Sequence, residues 1–299
     1  MRTPLNTTRR RPTTAKRTAA KSATAVAAAA LTLGLGACSA PSDAGSGSGG
    51  DSAADAPLVV AATPTPHGDI LNHVKEELAA DAGLELEIKE FDDYVLPNTA
   101  TESGEVDANF FQHKPYLDDF NEQKGTHIVP VVNVEIEPLG LYAEQLDGIK
   151  DLKPGHTVAL PDDATNEGRA LKLLADHGAI ELKDGTGSDA TLGDVTDDKG
   201  LEFKELEAAQ IPTRLGDVDA AVINGNYAIG AGLKPAKDAL VLEKAEGNPY
   251  ANFLAVKKGN EDDPRVEKLA RLLNSDEVKA FIEKRFEGSV LPAFGAVTS

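Results

Sequence analysis

Three segments of the chain place polar and aromatic side chains directly after predicted strands. They are residues 109–116 (NFFQHKPY), 160–169 (LPDDATNEGR) and 220–227 (AAVINGNY). Ligands of α/β folds bind beyond the carboxyl ends of such strands. The residue types favour recognition of a small molecule that has one apolar end and one polar end.

The segment 109–116 combines aromatic surface with hydrogen-bonding groups. Phe110 and Phe111 precede the amide of Gln112 and the imidazole of His113. An apolar wall with a few polar groups is the usual composition of a ligand pocket. The two phenylalanines would equally suit a strand end that packs into the core, and the sequence leaves both roles open.

The segment 160–169 ends at a predicted helix start. Asn166 can cap this helix, which would place Arg169 in its first turn. Backbone N–H groups and the helix dipole attract an anion at that position, and an arginine can hold a carboxylate through two parallel hydrogen bonds. The alternative is a surface ion pair between Arg169 and an acidic side chain.

In the third segment an apolar strand runs into Asn224, Asn226 and Tyr227. Amide side chains both donate and accept, so they can fix an ammonium group or a carboxylate. Asn-Gly is also a common turn pair, and turn formation is therefore the alternative role of this segment.

The sequence contains no catalytic motif of the HExxH, GxSxG or GxxxxGK[ST] type, and its six histidines show no paired ligand spacing. Residues 45–50 (GSGSGG) formally match GxGxxG, but the strand and helix that a dinucleotide site requires are not predicted around them. We expect no enzyme activity, no cofactor and no metal. An extracellular enzyme and a surface adhesion lipoprotein are the alternatives from other classes.

The first 37 residues have the composition of a signal peptide. Seven basic residues and no acidic ones lie in 1–21, and residues 22–37 are uncharged and rich in Ala and Leu. This apolar stretch of roughly 16 residues is shorter than the ~20 that span a bilayer. The run Arg9, Arg10 and Arg11 leaves twin-arginine export open beside the general secretory route.

Cys38 is the only cysteine and closes the run LGAC at 35–38. This run resembles the bacterial lipobox, in which the cysteine is lipidated and becomes the first mature residue. Residues 38–56 would then be the lipidated cysteine and a flexible tether. The predicted location is the extracytoplasmic face of the cell membrane, with Cys38 as the anchor. An incidental free thiol in a secreted protein is the alternative.

The chain is strongly acidic, with 30 basic and 49 acidic residues. Cleavage before Cys38 would leave 23 basic residues and a net charge of −26, because the removed segment holds seven basic residues and no acidic ones. Such a charge disfavours nucleic acid as a partner, and it disfavours a basic patch on anionic lipid. We expect a solvated, self-repelling surface.

Alternating strands and helices after residue 57 predict two α/β lobes. The chain opens as strand, helix and strand over 58–88, which favours a parallel sheet. The Gly-, Asp- and Thr-rich stretch 184–200 is predicted to be a loop. Further strands are predicted at 106–111, 128–134, 139–143, 157–160, 218–223, 239–242 and 252–256, and further helices at 167–177 and after Asp263 and Asp276.

Taken together, these segments resemble the methionine-binding lipoproteins of the NlpA/MetQ type, which are substrate-binding components of ABC importers. The resemblance covers about 60 to 255, and its most distinctive runs are FQHKPYL and TNEGRAL. One departure is INGNYA at 223–228, where the family often has INTNYA. The matching stretches are 63–67 (TPTPH), 91–98 (FDDYVLPN), 107–117 (DANFFQHKPYL), 137–142 (EPLGLY), 159–171, 221–228 (AVINGNYA) and 248–252 (NPYAN).

The resemblance implies a type II periplasmic-binding-protein fold, with two lobes joined by two crossover strands and the ligand in the cleft between them. Lobe I would be 57–140 plus 250–299, and lobe II would be 141–249. The implied partners are an ABC permease and its ATPase, and a monomer is expected. Another apolar amino acid or a methionine-containing dipeptide is the alternative ligand.

The resemblance also assigns roles to individual residues. Arg169 would hold the ligand's carboxylate, and Asn166 and Asn224 would bind the amino-acid head group. The remaining candidates would wall the thioether side chain or lie next to it: Tyr94, Phe111, His113, Tyr116, Phe110 and His67. Sulfur–aromatic contacts suit this pairing.

Overall fold

The computed structural model describes residues 56–297. The predicted signal peptide, Cys38 and almost all of the predicted tether lie outside the described residues. The strands are β1 (Leu58–Ala62), β2 (Leu86–Glu90), β3 (Ala108–His113), β4 (Ile128–Ile136), β5 (Gly140–Tyr142), β6 (Thr157–Pro161), β7 (Glu181–Leu182), β8 (Val195–Asp197), β9 (Glu202–Leu206), β10 (Ala220–Ile223), β11 (Val241–Leu242), β12 (Ala251–Lys257) and β13 (Leu291–Gly295). The helices are α1 (Asp69–Glu77), α2 (Leu96–Ser103), α3 (Lys114–Lys124), α4 (Ala164–Asp176), α5 (Gly225–Gly230), α6 (Pro235–Asp238), α7 (Pro264–Leu273) and α8 (Asp276–Phe286).

Six strands form the first sheet, in the order β13-β4-β12-β3-β1-β2. β1 runs parallel to β2 and β3, whereas β12 runs antiparallel to β3 and β4. Alternate residues of β1 enter different cores, because Val60 packs with α1, α7 and α8 while Ala61 packs with Ala100 of α2. Helices therefore cover both faces, as expected for a sheet with parallel strands.

Five strands form the second sheet, in the order β11-β5-β10-β6-β9. β6 is parallel to both β9 and β10, and β5 is antiparallel to β10. Leu171 and Leu174 of α4 pack on one face with Leu160. Ala228 of α5 packs on the other face with Ile223. β7 and β8 pair as a separate two-stranded sheet.

Two chain segments connect the sheets. Residues 137–139 lead from β4 in the first sheet to β5 in the second, and residues 243–250 lead back from β11 to β12. The carboxyl ends of β3, β6 and β10 face the space beside these connections. The predicted fold class, two α/β lobes joined by two crossings, is confirmed.

Most predicted elements are present with shifted ends. The predicted strand at 106–111 is Ala108–His113, and the predicted strand at 139–143 is Gly140–Tyr142. The prediction that 184–200 is a loop is wrong in part, because Val195–Asp197 pairs with β7. Among residues 56–297, no helix is both long and apolar enough to cross a membrane.

Candidate functional site

A cavity lies between the two sheets, beside their two connections. Seven predicted binding residues line it: Tyr94, Phe111, His113, Tyr116, Asn166, Arg169 and Asn224. Five further lining residues are Gln112, Glu137, Gly225, Asn226 and Asn252.

One end of the cavity is aromatic. Tyr94, Phe111 and Tyr116 form a wall in which the ring centroids are 5.7 to 6.1 Å apart. Such spacing is typical of favourable edge-to-face and tilted ring pairs. The Tyr116 hydroxyl donates to the carbonyl oxygen of Tyr94 at 3.0 Å. This end can therefore receive an apolar or thioether side chain, since sulfur packs well against ring edges.

The start of α4 differs from the prediction. Asp163, and not Asn166, caps the helix, because its carboxylate accepts from the backbone N–H of Asn166 at 3.0 Å. Asp and Asn are both good capping residues, and a shift of one turn separates the two assignments. Arg169 is consequently the sixth residue of α4. The helix N-terminus is already occupied by the Asp163 carboxylate.

Asn166 acts inside the cavity wall as a connector. Its Nδ2 donates to both carboxylate oxygens of Asp163 at 3.0 Å. Its Oδ1 accepts from Asn224 Nδ2 at 3.0 Å and lies 3.2 Å from His113 Nε2. These contacts use the hydrogen-bonding capacity of the Asn166 amide, so its geometry suits positioning of its neighbours.

His113 is held as a neutral imidazole. Burial, together with the positive charge of Arg169, lowers the pKa of His113 to about 3. The His113 Nδ1 accepts from the backbone N–H of Tyr116 at 3.3 Å. The proton of the neutral ring therefore lies on Nε2, which donates to Asn166 Oδ1.

Arg169 is buried, with 4% of its surface exposed, and is fixed on three sides. Its Nε donates to both oxygens of Glu243 at 3.0 and 3.1 Å, and its Nη2 donates to the Glu137 carbonyl at 2.9 Å. The guanidinium lies 4.1 Å above the ring centre of Tyr250. The predicted alternatives thus coexist: Arg169 forms an ion pair and lines the cavity. In the described part of the chain, its Nη1 has no hydrogen-bond partner.

Three residues with oxygen acceptors line the same cavity as this guanidinium. Asn224 Oδ1 and Asn252 Oδ1 are buried and have no hydrogen-bond partner among the described residues. The carboxylate of Glu137 lines the same part of the cavity. Unpaired buried acceptors are costly, so a ligand with N–H donors would satisfy them.

Two predicted contact residues do not line the cavity. Phe110 is fully buried in the core beneath the first sheet, which is the alternative role left open for it. His67 is also fully buried and packs edge-on against Phe110, with ring centroids 4.7 Å apart. Because strand neighbours point to opposite faces, Phe111 reaches the cavity and Phe110 does not.

His67, Glu135 and Glu137 bring one nitrogen and two carboxylate oxygens within 4.8 Å of one another. This is the one grouping in residues 56–297 with spacing close enough for a metal. Hydrogen bonding accounts for it, because Asn252 Nδ2 donates to Glu135 Oε1 at 2.9 Å and to Glu137 Oε1 at 3.2 Å. The amide donor therefore occupies one oxygen of each carboxylate.

Sequence reasoning missed Gln112, Glu137 and Asn252 as lining residues. Strand alternation places Gln112 on the face opposite to Phe111 and His113, but the pairing of β3 with β12 is irregular between Phe110 and Gln112. Glu137 comes from the first connection between the sheets, and Asn252 lies at the start of β12, just after the second connection. Their approach to the cavity depends on the assembled fold, and no local pattern marks it.

Hydrogen bonds link the two sides of the cavity. The Tyr94 hydroxyl donates to Asn226 Oδ1 at 2.6 Å, and the Tyr227 hydroxyl donates to the Asp92 carbonyl at 3.2 Å. The rings of Tyr94 and Tyr227 lie 4.9 Å apart. The two sides are therefore in direct contact, which encloses the cavity.

Two α/β lobes, two connections and an enclosed polar–aromatic cavity between them define a substrate-binding protein of the type II class. The model of the NlpA lipoprotein family matches residues 58–294. The chain belongs to this family, and the family resemblance predicted from sequence is confirmed.

Curated relatives and solved structures agree with this assignment. The chain is 42% identical to the methionine-binding lipoprotein MetQ of Bacillus subtilis, over 79% of this chain and 87% of the relative. It is 42% identical to the D-methionine-binding lipoprotein MetQ of Escherichia coli K12, over 73% and 82%. A nutrient-binding protein from Burkholderia cenocepacia, solved bound to methionine, is 44% identical with a TM-score of 0.77, over 79% and 100%.

Proposed function

We propose that this protein binds free methionine in the interlobe cavity and delivers it to an ABC importer. The main support for this proposal is that charged and polar groups line one part of the cavity and aromatic rings line another. Arg169 lines the polar zone together with the Glu137 carboxylate and two unpaired amide oxygens, and an aromatic wall closes the apolar end.

The three parts of methionine match these three zones. Arg169 Nη1 is free to donate to the carboxylate, with the guanidinium held in place by Glu243. Asn224, Asn252 and Glu137 offer oxygens to the ammonium group. The thioether lies against the aromatic wall. Asn166 and His113 position these groups rather than supply the principal contacts.

The identity of relatives supports this ligand. Relatives at 42% identity carry methionine in their names, and a structural neighbour at 44% identity holds methionine. Family membership favours binding and transport over catalysis. We propose a permease and its ATPase as partners, and a monomer as the working form.

We further propose the chain organisation 1–37 signal peptide, 38–56 lipidated Cys38 and tether, 57–140 plus 250–299 lobe I, and 141–249 lobe II. The sheet connections at 137–139 and 243–250 support these lobe limits. Membership of a lipoprotein family supports the anchor. A tethered receptor would remain near a membrane importer.

A thermal-shift panel tests the ligand. L-methionine, D-methionine, Gly-Met, leucine and cystine are each added to the purified mature chain. Ligand at 100 times its Kd should stabilise the protein by ~2.7 kcal/mol. We expect the largest shift with methionine. A larger thermal shift with leucine or Gly-Met would show that this compound, and not methionine, is the preferred ligand. No thermal shift with any compound would contradict a role in amino-acid binding.

A further inference from the structure

Two buried carboxylates and an imidazole lie directly beneath the proposed ammonium position. Glu135 and His67 are fully buried, and Glu137 is 6% exposed. His67 Nε2 lies 3.1 Å from Glu135 Oε1 and 3.2 Å from Glu137 Oε1. Its other nitrogen, Nδ1, lies 2.6 Å from the Thr63 hydroxyl. The imidazole therefore bridges the two carboxylates from behind the cavity.

The cluster has fewer donors than two ionised carboxylates require. Glu135 Oε2 is buried with no hydrogen-bond partner among the described residues. His67 Nε2 is near both carboxylates but is not well directed at either. Two carboxylates in one dry site cannot both ionise at ordinary cost, and such a pair titrates as a unit.

The other groups that face Glu137 do not make up for the shortage of hydrogen-bond donors around the two carboxylates. Among residues 56–297, Arg169 is the one cation beside it, and its Nε and Nη2 are engaged by Glu243. Tyr94 and Tyr142 also face Glu137 and remain neutral, because burial raises the pKa of each. Asn252 donates to both carboxylates from β12, and the backbone N–H of Asn226 lowers the pKa of Glu137.

Taken together, these contacts favour the protonated form of Glu137 beside Glu135. Burial, and then the neighbouring Glu135, raise the pKa of Glu137 well above its usual range, while Arg169, Asn226 and Asn252 oppose that rise. The unpaired oxygens of Asn224 and Asn252 point independently to a ligand with N–H donors at this position.

We propose that Glu135 and His67 make ligand binding proton-linked, so that Glu137 carries a proton in the empty site and releases it when an ammonium group binds. This inference rests on the proposed function. The O–H bond of the protonated Glu137 carboxyl breaks, the proton passes to solvent through the cavity that Glu137 lines, and the ammonium N–H donates to the resulting carboxylate. No oxidant or co-reactant is needed.

The sign of the pH dependence follows from this exchange. Bound ammonium favours ionised Glu137, so the pKa of Glu137 is lower in the complex than in the empty protein. Affinity is therefore full above the empty-site pKa and falls as pH decreases through it towards the bound-state pKa. Release of one proton gives about a tenfold change in Kd per pH unit within that window.

Calorimetric titration of the mature chain with L-methionine measures the exchange directly. The titrations are made at one pH, between pH 5 and 7, in buffers of different ionisation enthalpy. The ligand's own α-amino group (ordinary pKa ≈ 7.7–8.0) already carries its proton there. The slope of observed enthalpy against buffer ionisation enthalpy counts the protons. We expect release of roughly half to one proton per methionine at the pH of steepest change.

Two variants locate the source of the proton. Glu135→Gln keeps the size of the side chain and should reduce the release, because the competing carboxylate is removed while the burial of Glu137 remains. Glu105→Gln removes an exposed carboxylate distant from the cavity, and it should retain the wild-type proton count.

The outcomes separate this inference from the proposed function. Methionine binding with no proton exchange in the wild-type chain across pH 5–7 would overturn the inference alone. An unchanged proton count in folded Glu135→Gln would also overturn it, whatever the affinity. The complete absence of methionine binding would overturn the proposed function and the inference together.

Discussion

Arg169 and Glu137 define the polarity of the cavity at the scale of single residues. The guanidinium of Arg169 is buried against Tyr250 and paired with Glu243, so its orientation is fixed before any ligand arrives. Fixed orientation reduces the ordering cost of binding. The Glu137 carboxylate and two unpaired amide oxygens line the same cavity. The cavity therefore offers a partner to each charged end of a zwitterion.

The first residue-scale prediction concerns the carboxylate end. Arg169→Ala should weaken methionine binding by roughly 2–4 kcal/mol, because a desolvated carboxylate loses a charge-assisted partner. The affinity for methioninol, which lacks the carboxylate, should fall much less in this variant. Calorimetry with both ligands measures the difference. Arg214→Ala removes an exposed arginine of the same lobe and should leave both affinities unchanged. Equal losses for methionine and methioninol would refute the assigned contact.

The second residue-scale prediction concerns the ammonium end. Glu137→Gln should weaken methionine binding by about 1.5–3 kcal/mol, the range of a hydrogen bond to a charged group. A des-amino analogue of methionine should be nearly insensitive to the substitution. Competition binding with the two ligands gives the comparison. If the analogue loses as much affinity as methionine, Glu137 does not contact the ammonium group.

At the scale of elements, α4 and the two sheet connections position the site. Gly168 lets α4 approach the loop 188–190 closely, since a Cβ there would press on the carbonyl oxygens of Ser188 and Ala190, the latter at 2.9 Å. Gly225 similarly makes room for Glu137, whose Cβ would lie 2.7 Å from an added methyl group. Gly225 is the position at which this chain departs from the family's INTNYA pattern, which has threonine there.

Gly168→Ala tests the close approach of α4. Alanine has the higher helix propensity by about 1 kcal/mol, yet the clash with backbone should destabilise the protein by roughly 1–3 kcal/mol. Denaturant unfolding measures the stability. Gly148→Ala is the control, because the nearest atom to its added Cβ is a side-chain oxygen 3.9 Å away. If Gly168→Ala is as stable as the wild type or more stable, the loop 188–190 can move to accommodate the added methyl group at little cost.

The sequence indicates the elements of the site better than their assembly. Arg169, His113 and Asn224 are predictable, because each follows an apolar strand in an α/β pattern. The capping residue of α4 is not predictable from sequence, because Asp163 and Asn166 are both good capping residues and lie about one turn apart. Glu137 lies on a connection and Asn252 at the start of β12, and their approach to the cavity follows only from the placement of the two sheets. The inward positions of Phe110 and His67 likewise depend on packing.

At the scale of the whole molecule, the cavity lies where the two lobes and their connections meet. The residues that line the cavity therefore come from both lobes, including Glu137 of the segment 137–139. Hydrogen bonds such as Tyr94 to Asn226 join the lobes across the cavity mouth. A ligand that bridges the lobes favours this enclosed arrangement over a separated one. A permease could distinguish the two arrangements.

The proposed anchor is tested on the full-length chain. Cys38→Ser should release the protein from the membrane and leave methionine affinity unchanged, because Cys38 lies outside the residues that form the cavity. Cell fractionation and calorimetry measure the two properties. Serine is the matched substitution, since it keeps the size of the side chain and removes the thiol. A variant that remains wholly membrane-bound would contradict lipid anchoring at Cys38.

The central claim is that the cavity binds methionine as a zwitterion with an apolar tail. Its most direct test is calorimetric titration of the mature chain, stripped of any retained ligand by unfolding and refolding, with L-methionine. We expect saturable binding of one methionine per chain, with leucine, methioninol and the des-amino analogue each binding more weakly. No binding of methionine, or equal binding of the analogues that lack one charged end, would contradict the account.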